Sequence, residues 1–345
     1  MGKVHDLTTL GPEIYNCSFQ DGPPFLAESP IDRVWKTIER FTSKSYLDSL
    51  SPKNISLKEW KTFNGYVRAR VIQALELRES ARSLSFLSRP IPLYYAVLNL
   101  YRAFYGIKCE RECGTKHGLR FKSSKQILSM YAEYDDSGHS SIRNVLDSFS
   151  ITVPNKYKIS LRLALNKTIE IANDIYATEG KHSEVLKLRL SPRQSGEVAL
   201  QFNDDLKDFR RNWEKWFPNL ISCCKLYKKG NVLIVNNISS SDYANIVNFA
   251  NQHLEPELRL NNLPTWYIYK AKKNEILFPR FLYYVFGLFI LSNLSRYNPE
   301  SLIRIQSQKD TCYYIINQFL DYSERFLPHL LLNWIHNKPV WFGIL

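Results

Sequence analysis

The chain has 345 residues, with 46 Lys and Arg against 33 Asp and Glu, for a formal net charge of +13. An apolar fraction of 44% with 14% aromatics argues against an intrinsically disordered chain, and the length exceeds one ordinary domain, so two structural units, or one core with an insertion, are expected. The basic balance suits a polyanion such as RNA, DNA, a nucleotide or an anionic surface, and says nothing about fold.

Residues 1–30 carry Gly-Pro-Pro and Ser-Pro turns with little periodicity and read as an extended arm. They lack the apolar core of a signal peptide, so a cytoplasmic chain with six reduced cysteines is expected. Gly2 follows Met1, but Asp6 stands where a myristoylation pattern requires Ser or Thr. A helical pattern begins near Pro30, with Val34, Ile38, Phe41, Tyr46 and Leu50 at steps of three to five.

A second helix is predicted from Ser56, because Glu59 three residues on gives a capping box. Val67, Val71, Leu75 and Leu84 mark its apolar face, and Arg68, Arg70, Arg78 and Arg82 a solvated stripe. The turn at Arg89–Pro92 opens a third helix that is apolar nearly all round except for Asn99 and Arg102. Such a helix is buried, so both polar residues need partners.

Residues 108–141 read as polar loops around a short helix, Lys125–Tyr134, and helices resume over 158–177, an amphipathic stretch. The pattern then changes. Leu186, Leu188 and Leu190 alternate with Lys187 and Arg189, and a second alternating run, 196–202, follows a Gly-containing turn, which predicts a hairpin. Residues 231–235 and 265–270 are two further predicted strands, with a helix over 242–253 between them. The apolar run 281–291 is too short to cross a bilayer and reads as a buried helix. The fold class expected is α+β: a mainly α-helical core, with residues 31–180 and the C-terminal helices of 276–345 packed together, and a small β-containing middle module at 184–273.

No phosphate loop, dinucleotide fingerprint, zinc-peptidase or nucleophile-elbow motif is present. Cys109, Cys113 and His117 have spacings a zinc site could use, but Gly114 interrupts them and a fourth ligand would have to come through the fold from Cys223, Cys224 or His139. No metal and no cofactor is therefore expected. Arg111 and His117 fit the R-x(4–6)-H pattern of the helical HEPN ribonucleases, in which His serves as acid/base and Arg steadies the phosphate; an incidental His is the competing reading. His329 and His336, seven residues apart on one helical face and preceded by Arg325, are a second acid/base pair or simply helix packing.

Several segments together resemble the YaaC-like family. They are Gln73–Glu76 with Ser80-Ala81, Arg89–Tyr95 continuing through Asn99–Ala103 to His117-Gly118-Leu119, Phe286-Gly287-Leu288 leading into Leu294–Glu300, and Arg325–Pro328. The resemblance spans about 65 to 340 and implies a fold more than a reaction. It carries over Asn99, Arg102, His117, Arg296, Tyr297 and Glu300 as one polar site, with a simple Arg296–Glu300 ion pair as the structural alternative. Two departures stand out: Ser301 and Leu302 occupy the region where the family often has Trp, and Arg102 stands where it usually has Lys.

The function expected is nucleic-acid-directed: a metal-independent, HEPN-like ribonuclease or a phage-defence component. His117 is its acid/base, Arg102 or Arg111 contacts phosphate, and Asn99, Arg296, Tyr297 and Glu300 bind substrate. The alternatives are a non-catalytic adaptor with a protein partner, and a nucleotide or small-ligand sensor. A homo-oligomer is left open, and no membrane association is expected.

Overall fold

The computed structural model describes residues 30–50, 56–136, 138–179, 183–193, 195–202, 206, 208–256, 265–272 and 275–336; the expected N-terminal arm lies outside them. The described residues form two compact units, one within 30–179 and 278–336, the other within 183–277.

The first unit begins with α1 (Pro30–Glu39), a short 3-10 turn at Arg40–Thr42 and α2 (Lys44–Ser49). Next comes α3 (Leu57–Ser83), whose capping box forms as the sequence predicts. The Ser56 hydroxyl accepts from the Glu59 N–H, and the Glu59 carboxylate accepts from the Ser56 N–H. α4 (Pro90–Cys109) starts with Pro at its first position, where the missing N–H costs no helical bond, and is buried from Leu93 through Gly106 save for Tyr95. The remaining helices are α5 (Ser141–Ser148), α6 (Leu161–Asn166), α7 (Ile169–Glu179), α10 (Arg280–Tyr297), α11 (Pro299–Ser307) and α12 (Thr311–His336). α3, α10 and α12 all pack on α4. Each large apolar side chain buried there contributes about 1.5–3 kcal/mol. α10 and α12 approach so closely that a Cβ on Gly287 would lie 2.5 Å from the Phe319 ring.

Glu324 on α12 gathers three arginines. It lies 3.1 Å from Arg78 and 3.7 Å from Arg82, both on α3, and 3.1 Å from Arg89 before α4. The Trp35 indole N–H of α1 donates to the Glu324 carbonyl. The arginine stripe of α3 is thus not simply solvated. Arg78 is buried because α1 and α12 cover that face, and its guanidinium lies 4.7 Å over the Trp35 ring. α7 and α10 are joined by a buried cluster in which Glu170 takes hydrogen bonds from both Arg280 and Tyr284.

A three-stranded antiparallel sheet belongs to this unit, with β1 (Leu119–Lys122), β2 (Tyr131–Tyr134) and β3 (Lys158–Ser160) in the order β1-β2-β3. The helix expected over 125–134 is instead a 3-10 turn at Ile127–Ser129 followed by β2. Tyr131 pairs with Lys122 on one side and Ser160 on the other, and these ladder bonds outweigh local helix propensity. The helical stretch expected over 158–177 is two helices, α6 and α7, preceded by β3, which the sequence reading does not include. Ser160 ends the strand and caps α6 by accepting from the Leu163 N–H, and the chain breaks again at Lys167 and Thr168.

The second unit is a six-stranded antiparallel sheet: β4 (Val185–Pro192), β5 (Glu197–Phe202), β6 (Cys224–Leu226), β7 (Val232–Ser239), β8 (Glu255–Pro256) and β9 (Trp266–Tyr269), in the order β6-β7-β5-β4-β9-β8. The predicted β4–β5 hairpin is present. Leu186, Leu188 and Leu190 point into a core that also holds Trp213 of α8 (Phe209–Trp216) and Phe249 of α9 (Tyr243–His253). α8, β6 and β8 have no counterpart among the predicted elements. The molecule is thus α+β with a helical core. No helix among the described residues is long and apolar enough to cross a membrane.

Candidate functional site

The site starts from the two polar residues of α4. Asn99 and Arg102 are 6% and 7% exposed, and every hydrogen bond Arg102 makes goes to a neutral group. Asn99 Nδ2 donates to the Tyr95 carbonyl at 3.0 Å, and Asn99 Oδ1 accepts from Arg70 of α3 at 3.0 Å. Arg102 Nε donates to Ser141 Oγ at 2.8 Å, and its Nη2 to the Thr115 carbonyl at 2.6 Å. Ser141 Oγ in turn donates to the Gly114 carbonyl at 2.5 Å. Arg102 therefore ties the 114–118 loop to the first turn of α5.

That loop carries His117. Its backbone is held by N–H donors of α5, from Ser141 to the Lys116 carbonyl at 2.8 Å and from Ile142 to the His117 carbonyl at 3.3 Å. Gly118 has φ +78°, and a Cβ there would lie 2.2 Å from Ser140 Oγ, so only glycine permits this approach. The His117 ring rests among Tyr94 and Tyr95 of α4 and Phe289 of α10. Its Nδ1 lies 2.8 Å from the Tyr94 hydroxyl. Burial, then the positive charges of Arg102 and Arg296, push the His117 pKa down to about 4, so the ring is neutral at pH 7. Burial holds the Tyr94 hydroxyl protonated, well above the ordinary tyrosine range.

Arg296 comes from the last turn of α10. Its Nη2 donates to Asn293 Oδ1 at 3.2 Å, its Nη1 to the Tyr95 hydroxyl at 3.4 Å, and its Nε to the Ser292 carbonyl at 3.3 Å. Its guanidinium lies 5.2 Å from the Tyr297 ring. The Arg296–Glu300 pair that their spacing allows, the structural alternative to a polar site, does not form. α10 ends at Tyr297 and Asn298 is non-helical, with φ −150° and ψ 54°, before α11 restarts at Pro299, so the two side chains do not share one helical face. Arg70, Arg102 and Arg296 pair with no carboxylate among the described residues. Beside them lies an open groove of about 580 Å³, lined by Phe121 and Lys122 of β1 and by Asn293, Tyr297 and Glu300. Asn293 belongs to both the groove and the Arg296 cluster.

The structure thus brings His117, Arg102 and Arg296 within electrostatic reach of one another, with Asn99 linked through Tyr95 and with Tyr297 and Glu300 on the adjoining groove. Arg111 is elsewhere. Its Nε donates to the Tyr105 hydroxyl at 2.6 Å, and Tyr105 lies eleven residues beyond Tyr94, roughly 16 Å along the helix axis. Cys113 is buried with its Sγ against the Ser141 carbonyl, and its thiol is pushed up to about 11, chiefly by burial. Among the described residues no group of three or more His, Cys, Asp or Glu is placed to hold a metal ion. His329 is buried in α12.

Sequence reasoning missed Asn293, Tyr94, Tyr95 and Ser141. Asn293 carries the same signal as Asn99, a polar residue in an otherwise apolar helix. The two tyrosines look like core, and Ser141 looks like an ordinary helix-start residue. A family model described as YaaC-like Protein matches residues 35–335. The chain belongs to the YaaC-like family. The match takes in α3, α4, the His117 loop and most of α12, so the site lies wholly within the part that defines this YaaC-like chain. No curated protein and no solved structure matches it.

Proposed function

We propose that this YaaC-like protein is nucleic-acid-directed and takes a backbone phosphate at Arg296, with Lys122 as a second contact. One observation carries the reading. Arg296 is exposed, held in place by three neutral acceptors, and matched by no carboxylate among the described residues. A guanidinium positioned this way keeps its full charge for an anion, and its planar fork suits phosphate. The net charge of +13 favours the same class of partner at long range.

The test is binding of a labelled single-stranded RNA across a salt series. Arg296→Met with Lys122→Met is expected to weaken binding and to flatten the slope of log affinity against log salt by roughly 0.7 for each phosphate no longer neutralised. Binding that ignores salt, or an unchanged slope in the double variant, overturns the reading.

Ribonuclease action is the second reading. It is favoured by the placing of His117 beside Arg102 and Arg296, two arginines that no described carboxylate matches, although the ring, neutral at pH 7 with a pKa of about 4, is only a weak base there and supplies no proton as an imidazolium. RNA cleavage abolished by His117→Ala but not by Arg111→Met would support it. Equal cleavage by wild type and His117→Ala, or none by either, removes it and leaves a non-catalytic binding module.

A further inference from the structure

We propose that the groove beside Arg296 receives a single unstacked guanine, so that the nucleic acid bound is single-stranded. This deepens the phosphate-binding reading and rests on it.

The groove offers three kinds of contact. Tyr297 is 69% exposed, the most exposed large aromatic among the described residues. Its ring is flanked by the Arg296 guanidinium at 5.2 Å. An exposed ring beside a fixed cation is a platform on which a base stacks while its phosphate reaches the charge. Phe121, half-buried on β1, supplies apolar surface to the same groove. A volume of about 580 Å³ is in the range of ordinary small-ligand sites and large enough for one nucleotide.

The third contact sets the base. Glu300 and Lys122 line the groove together, both exposed, and neither is paired with the other or with any described residue. A carboxylate in a groove meant only for phosphate would repel its ligand. Beside a cation and a stacking ring, it complements a ligand carrying both a negative group and an edge of N–H donors. Guanine presents two adjacent donors, the ring N1–H and the exocyclic amine, matching the two oxygens of a carboxylate. Adenine and cytosine present one amine, and uracil a single imide N–H. In a duplex that edge is already paired, whereas in a single strand it is free to be read.

The test is fluorescence anisotropy with labelled seven-nucleotide oligouridines carrying a central guanosine, adenosine, cytidine or inosine. The guanosine oligomer is expected to bind about tenfold more tightly than the adenosine or cytidine ones. Inosine, which lacks the exocyclic amine, should fall between. Glu300→Gln is expected to bring all four within about twofold, and Tyr297→Leu to weaken all four by about tenfold. Both residues are exposed, and unchanged melting temperatures confirm that the variants fold.

Equal binding of the four oligomers by wild type, or a guanine preference that survives Glu300→Gln, overturns the proposal. Equal binding that still depends on Arg296 leaves the phosphate reading intact. Binding indifferent to Arg296→Met sinks the phosphate reading and this proposal with it.

Discussion

The Tyr94 hydroxyl and His117 Nδ1 are 2.8 Å apart, which places the histidine ring between a buried tyrosine and two arginines that no described carboxylate matches. The folded His117 resists protonation until about pH 4, while the unfolded residue takes a proton near its ordinary 6.5. Between these values the unfolded chain binds more protons, so stability falls as pH drops from about 6.5 to 4, with no contribution above 6.5 and no further slope below 4. Urea unfolding of wild type and His117→Gln at several pH values checks this: the difference in stability between them should shift with pH only in that window. His253, also held below its ordinary value by burial, is present in both chains and cancels.

Arg102→Met removes two buried donors, leaving Ser141 Oγ and the Thr115 carbonyl without them. The expected loss is ~3 kcal/mol in urea unfolding. Arg102→Lys keeps the charge but reaches only one of the two acceptors, so its loss should be ~1 kcal/mol. Equal losses for the two variants would mean that charge, not fork geometry, holds the loop.

Gly118→Ala forces a side chain onto φ +78° and drives its Cβ into Ser140. A loss of about 2–4 kcal/mol is expected, part from backbone strain and part from overlap. Ser140→Gly in the same chain opens the space and should recover the overlap part alone. A double variant no more stable than Gly118→Ala would show that backbone strain is the whole cost.

Glu324→Ala leaves Arg78 and Arg89, 8% and 15% exposed at their side chains, without their shared carboxylate. Breaking such a cluster is expected to cost ~3 kcal/mol and to lower the melting temperature by several degrees. Asp321 and Asp32 remain as partners for Arg89 and Arg78, so the loss should fall short of removing all the charges' partners. Exposed Glu79→Ala on α3 should change stability by less than ~0.5 kcal/mol.

What could be read from the sequence follows from how local its causes are. The Ser56–Glu59 box and the Leu186, Leu188, Leu190 alternation depend on residues within one turn or one strand, and both elements form as read. Tyr131–Tyr134 depends on pairing with Lys122, nine residues before Tyr131, and Ser160, twenty-nine after it, and only that pairing makes it a strand. The same distinction runs through the site. Asn99 and Arg102 stand out because a polar residue in an apolar helix is visible locally. The partners that define their chemistry, Arg70, Ser141 and Thr115, come from other elements and leave no local mark. The missing Arg296–Glu300 pair turns on the non-helical backbone of one residue, Asn298, which spacing alone does not reveal.

Arg296 reaches both sides of the site, bonded to Asn293 of the groove and depressing proton affinity at His117. An anion settling on Arg296 cancels part of that field, so His117 then accepts protons more readily. Binding and protonation are thereby coupled: near pH 5 the complex should take up a fraction of a proton from the buffer. Calorimetry in two buffers of different ionisation heat would reveal that uptake, and it should vanish in His117→Gln. The imidazole would then report occupancy of a neighbouring phosphate site without touching the ligand itself.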